Sequence, residues 1–123
     1  MRRVVTIAAA GLCLTTLTGH ASAQEASQEA DVQVRRGREI ADKVCWVCHV
    51  TGPDQEYSPI LRAPGPDFRA IAARPGTTAA SLTAFLHTAH RTEDKPYTMP
   101  NPRLSDEMID AVAHYIISLK PRS

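Results

Sequence analysis

Residues 45–49 read CWVCH, that is Cys45-Trp46-Val47-Cys48-His49, and the reading of the chain turns on them. Two cysteines with a histidine directly after the second suit three chemistries: a metal site, a dithiol redox couple, or covalent anchorage of a haem. A closed zinc site needs four ligands, whereas Cys45, Cys48 and His49 give three, and the adjacent pair is awkward for one tetrahedral ion. No second cysteine pair stands further along to complete it. Thiol–disulfide exchange favours cysteines at a helix N-terminus beside a sheet, where the dipole steadies the thiolate. Here a helical pattern precedes the cysteines, so they meet the negative end, and no strand pattern accompanies them.

Haem attachment suits the stretch better, because Cys-x-x-Cys-His is the signature for c-type haem. Each thiol adds to one porphyrin vinyl group, so the sulfurs need a short, fixed separation. A turn of helix between Cys45 and Cys48 provides it, and His49 then presents its imidazole to the iron.

The front of the chain agrees. Arg2 and Arg3 precede an uncharged, mostly apolar run over 4–19, and Ala21-Ser22-Ala23 supplies the small residues of a cleavage site. Residues 1–23 are therefore expected to be a cleaved secretory signal peptide. The run is short for the roughly 20 apolar residues that span a bilayer, so no stable membrane insertion is expected after cleavage. Export also matches haem attachment outside the cytoplasm, and the expected location is the periplasm. Cys13 leaves with the signal, so only Cys45 and Cys48 of the three cysteines remain and a disulfide framework is excluded. Losing Arg2 and Arg3 from 14 basic residues leaves 12 against 13 acidic ones, a charge of −1 that advertises neither nucleic acid nor anionic lipid.

Removing 23 of 123 residues leaves 100, enough for one small domain. With one Trp and two Phe, its own aromatic filling is thin, and a bulky cofactor would complete the core. The pattern reads as all α. Residues 24–30 are expected to be a flexible tail and 31–123 the single domain. Asp31 is a plausible cap for a first helix to about residue 47, with Val34, Gly37, Ala41, Val44 and Cys48 on one face. A proline-punctuated loop spans 50–66, and a short helix 67–74 ends at Pro75-Gly76. A third helix over 79–89 buries Leu82, Phe85 and Leu86. A second loop covers 91–103, and Ser105 caps a last helix with Ile109, Val112, Ile116 and Leu119 on its apolar stripe.

If His49 is one axial ligand, the opposite face needs another. Met108, His87, His90 and His114 are candidates, but each has a simpler place in or at the end of a helix. Met99, in Tyr97-Thr98-Met99-Pro100, has no helical stripe to explain it, and it is the expected sixth ligand. His/Met ligation is an electron-transfer arrangement with both iron faces closed.

Taken together, residues 37–119 resemble a small class I cytochrome c. Gly37, eight positions before Cys45, matches that family's glycine at the crossing of first and last helices. Gly65-Pro66-Asp67-Phe68 is similar to its Gly-Pro segment, which implies that the Pro66 carbonyl orients the His49 imidazole. Thr98-Met99-Pro100 resembles the sixth-ligand loop, and Ala113-His114-Tyr115-Ile116 the last helix, whose aromatic packs on the first. The resemblance implies a cytochrome c-like fold of about four helices around one haem c, held by Cys45 and Cys48 and ligated by His49 and Met99. It implies single-electron transfer between redox partner proteins rather than enzymatic catalysis. One alternative is a cytochrome subunit of a periplasmic dehydrogenase or oxidase complex; another is a gas-binding or catalytic haem protein with an open sixth position. Three departures stand out. Ala41 occupies the usual aromatic position after the glycine, leaving the crossing to Tyr115. The only Trp lies between the cysteines, so Arg62, Arg69, Arg74 or Tyr97 would meet the haem propionates. The loop over 54–63 is longer than compact members need. Arg35, Arg36 and Arg38 form a basic patch that would guide docking or simply be a solvated helix face.

Overall fold

The computed structural model describes residues 18–88 and 99–121, with side chains from residue 23 onward. Most of the expected signal segment, together with Ala89, His90, Tyr97 and Thr98, lies outside the described residues.

Among the described residues four α-helices follow one another: α1 (Thr18–Ile40), α2 (Phe68–Ala73), α3 (Ala79–His87) and α4 (Asp106–Ser118), with a π-helical turn over Ala41–Cys45 continuing α1. No strand occurs among the described residues, and the fold is all α. α1 starts well before Asp31. Its Ala, Glu, Gln and Arg residues are strong helix formers, and no glycine or proline interrupts them between Ala21 and Arg36. The stretch 24–30, expected as a tail, is thus helical, with every side chain exposed.

The other helices begin where their caps dictate. Asp67 accepts a hydrogen bond from the Arg69 amide at 2.7 Å. Thr78 and Ser81 form a reciprocal capping box. Ser105 accepts from the Met108 amide, and Asp106 and Glu107 occupy the first turn of α4, where the positive end of the dipole favours them.

α4 packs against α1, α2 and α3, so it is buried on more than one side. Beyond the expected stripe, Ala111, Ala113 and Tyr115 are also buried. The crossing of α1 with α4 requires Gly37: a Cβ there would lie 2.0 Å from the Ala111 carbonyl oxygen. Ala41, fully buried one turn later, keeps the approach close. The room an aromatic would take is used by Tyr115, whose ring meets Phe68 edge-on with centroids 6.5 Å apart. Its hydroxyl donates to the Thr51 carbonyl at 2.9 Å.

Two residues depart from the expected stripes. Val44 is exposed, and Phe85 is 50% exposed instead of buried. Both face a cavity rather than the protein core.

Candidate functional site

The cavity measures about 390 Å³ and is bounded by the end of the π-turn, the 66–68 segment, α2, α3, the 99–102 loop and α4. Its walls are mostly aliphatic and aromatic: Ile71, Leu82, Phe85, Leu86, Val112 and Ile116. Cys45, Cys48, His49 and Pro66 line one part of it, and Met99 with Pro100 and Pro102 another.

Local geometry explains why three reactive residues share a wall. The wide π-turn closes with the Trp46 amide donating to the Ala41 carbonyl at 3.1 Å. The Cys48 and His49 amides then both donate to the Cys45 carbonyl, at 3.1 and 2.9 Å. That is helical winding, and positions i, i+3 and i+4 fall on one face. Cys45, Cys48 and His49 therefore look the same way.

His49 is buried. Its Nδ1 donates to the Pro66 carbonyl at 2.8 Å, and since a carbonyl only accepts, Nδ1 carries the proton. Nε2 keeps its lone pair for a metal. The ring lies 5.4 Å from Phe68, centroid to centroid, and packs directly over Gly65. A Cβ at Gly65 would come within 2.5 Å of His49 Cε1. The Gly65 amide donates to the Cys48 carbonyl at 2.7 Å, and the Phe68 amide to the Val50 carbonyl at 3.0 Å. The Gly-Pro segment is thus bonded to the backbone on both sides of His49.

Burial, then the Cys48 thiol and the Asp42 carboxylate, push the Cys45 thiol up to about 12. A dithiol exchange catalyst needs the opposite, a thiol lowered toward neutrality. Among the described residues no group of three or more His, Cys, Asp or Glu side chains is arranged to hold a metal ion.

Of the sixth-ligand candidates in the described residues, Met99 alone lines the cavity. Met108 packs at the edge of the core. His87 is exposed at the end of α3, with Nδ1 3.9 Å from Asp106. His114 turns back onto its own helix, its Nδ1 donating to the Asp110 carbonyl at 2.9 Å. Of the arginines named for propionates, Arg74 lines the cavity, while Arg62 and Arg69 are exposed and do not. Within the basic patch Arg38 is engaged, pairing with Asp54 at 2.5 Å and with Asp42 at 3.6 Å.

Sequence reasoning named Gly65 only as part of the Gly-Pro segment and passed over Thr51. Gly65 is the spacer that lets the imidazole pack against the backbone. Thr51, completely buried, ties Asp42 and Gln55 together through its hydroxyl, at 2.9 and 3.0 Å. A threonine in a loop gives no hint of that.

An apolar cavity with two thiols and an Nδ1-tethered imidazole on one wall and a thioether on another fits a covalently bound haem. The cytochrome c family model matches residues 34–120, and the chain belongs to the cytochrome c family. No individual curated protein and no solved structure matches it. As a member, it carries one covalently attached haem c and works in haem-based electron transfer with redox partner proteins. No described helix is long and apolar enough to cross a membrane.

Proposed function

We propose that this protein is an extracytoplasmic single-electron carrier with His49 and Met99 as axial ligands and Cys45 and Cys48 as the thioether anchors. When bound, haem c supplies an iron that alternates between Fe(III) and Fe(II). The observation that carries this reading is one cavity lined by Cys45, Cys48, His49 and Met99 together. Pro66 orients the imidazole by accepting its Nδ1 proton, which strengthens Nε2 as a donor. The apolar walls exclude water and keep the ligand set unchanged between redox states, so little reorganisation accompanies transfer. Arg74, on the cavity wall, is the propionate partner. Periplasmic location after cleavage behind Ala23 rests on residues 1–23.

A second reading, a subunit of a dehydrogenase or oxidase complex, is favoured by one observation. The 54–63 loop exposes Tyr57, Ile60 and Leu61 beside Trp46, an apolar surface that a catalytic chain would cover.

Replacing Met99 with Ala in the haem-loaded protein tests the ligand set. The oxidised spectrum is expected to lose its low-spin, sulfur-ligated features, and the reduced variant to bind carbon monoxide. An unchanged spectrum removes Met99 from the reading. Ready binding of carbon monoxide by the reduced wild type replaces the carrier with an open-site haem protein.

A further inference from the structure

Two residues after His49 the backbone is gripped from three sides. Thr51 is completely buried, which is unusual for a hydroxyl side chain. Its Oγ1 donates to Asp42 Oδ1 at 2.9 Å, from the π-turn. Its amide donates to Gln55 Oε1 at 2.5 Å, within its own loop. Its carbonyl accepts from the Tyr115 hydroxyl at 2.9 Å, from the middle of α4. Gly52 makes way for that phenol: a Cβ there would lie 2.7 Å from the Tyr115 oxygen.

Directly upstream, Val50 and Cys48 are bonded through their carbonyls to Phe68 and Gly65, the two residues that flank Pro66-Asp67. The Thr51 knot therefore ends the short length of chain that sets the distance between His49 Nδ1 and the Pro66 carbonyl. We propose that Tyr115 and Thr51 are positioning residues for the proximal ligand, holding the His49–Pro66 hydrogen bond at its strength from the last helix. This rests on His49 being that ligand. A firmly held Nδ1–H···O bond makes Nε2 a stronger donor, favours the ferric state and lowers the reduction potential. Slackening it raises the potential.

The test is Tyr115→Phe in the haem-loaded protein, which deletes the hydroxyl and keeps the ring. The reduction potential is expected to rise, and the His49 Nδ1 proton to exchange with solvent roughly fivefold faster, the factor to which one net hydrogen bond of local stability converts. Ile109→Val, buried on the same helix away from the cavity wall, serves as control. It is expected to lower the melting temperature and leave both readouts alone. If Tyr115→Phe behaves like Ile109→Val, the proposal is overturned. If it fails to accumulate with haem, Thr51→Val decides. It has a similar shape, keeps the amide and the carbonyl, and cuts the hydroxyl's links to Asp42 and Gln55. A higher potential and faster exchange support the proposal, and unchanged values overturn it. Failure of the underlying ligand reading looks different: a low-spin spectrum that survives His49→Ala.

Discussion

At the scale of single residues, the site depends on atoms that are absent as much as on those present. Gly65 has no need of an unusual backbone angle; it is needed for space. In Gly65→Ala the new methyl would meet His49 Cε1 at 2.5 Å and Nδ1 at 2.8 Å, so either the imidazole tilts off Pro66 or the 65–66 backbone withdraws. Overpacking of this kind costs about 1–3 kcal/mol. Chemical denaturation of the haem protein is expected to show that loss, with a shifted reduction potential alongside. Pro66→Ala makes the informative comparison, because the acceptor is a backbone carbonyl and survives the change. It should disturb the potential less than Gly65→Ala, and the reverse order would show that the proline ring, not its carbonyl, holds the histidine. These residues also mark what a sequence shows readily. Cys45, Cys48, His49 and Met99 announce themselves because their chemistry is rare and their local setting leaves no structural excuse for them. Thr51 and the Tyr115 hydroxyl do not, since their partners lie 64 residues apart and only the folded crossing brings them together.

At the scale of elements, the Ser105 cap was legible and the start of the first helix was not. Ser105, like Thr78 and Asp67, caps because its side chain reaches a nearby amide, a relation contained within a few residues. The π-turn at Ala41–Cys45 carried no such local mark; it arises where α1 runs into the loop gripped by Thr51. Gly37, by contrast, was placed by pattern, and the structure supplies its reason. In Gly37→Ala the clash is with the Ala111 carbonyl, which no rotamer change relieves, so α1 and α4 must separate. A loss at or above the upper end of the about 1–3 kcal/mol overpacking range is expected in denaturant melts. A second consequence concerns the long loop. Arg38, hydrogen-bonded to Asp54, holds that carboxyl below its ordinary value of 3.8. A depressed folded value contributes stability that is present above the unfolded value and is lost as pH falls through the folded one. The clamp is therefore complete at neutral pH and opens only in stronger acid. Both side chains are well exposed, so the effect is small and salt-sensitive. Asp54→Asn is expected to flatten the acid limb of the stability curve below about pH 4, and an acid limb identical to wild type would leave the ion pair without a role.

At the scale of the molecule, the family match and the onset of burial coincide. Residues 23–32 are all exposed, Gln33 and Val34 are the first partly covered, and the cytochrome c family model begins at residue 34. A chain starting at Asp31 should therefore melt as one starting at Gln24 does, within about 0.5 kcal/mol, because nothing it loses is packed. From there inward the protein lacks the means to fold tightly on side chains alone. Among the described residues its buried apolar set includes four alanines, with Phe68 and Tyr115 as the only aromatics, and the cavity beside it is walled by Leu82, Leu86, Val112 and Ile116. These side chains are buried in the protein and also border the space that haem c would fill. Attaching the cofactor thus stabilises the native state as any tightly bound ligand does, but irreversibly where Cys45 and Cys48 are the thioether anchors proposed above. Cys45→Ser with Cys48→Ser separates the two contributions. Without a covalent cofactor, the chain is expected to lose helical ellipticity and to melt over a broad, weakly cooperative range, because α3 and the 99–102 loop then have little to close upon. The haem-loaded wild type is expected to melt sharply. A sharp, cooperative melt from the colourless double variant would mean that the contacts of α4 with α1 and α2 suffice, and that haem is a passenger in this fold rather than its centre.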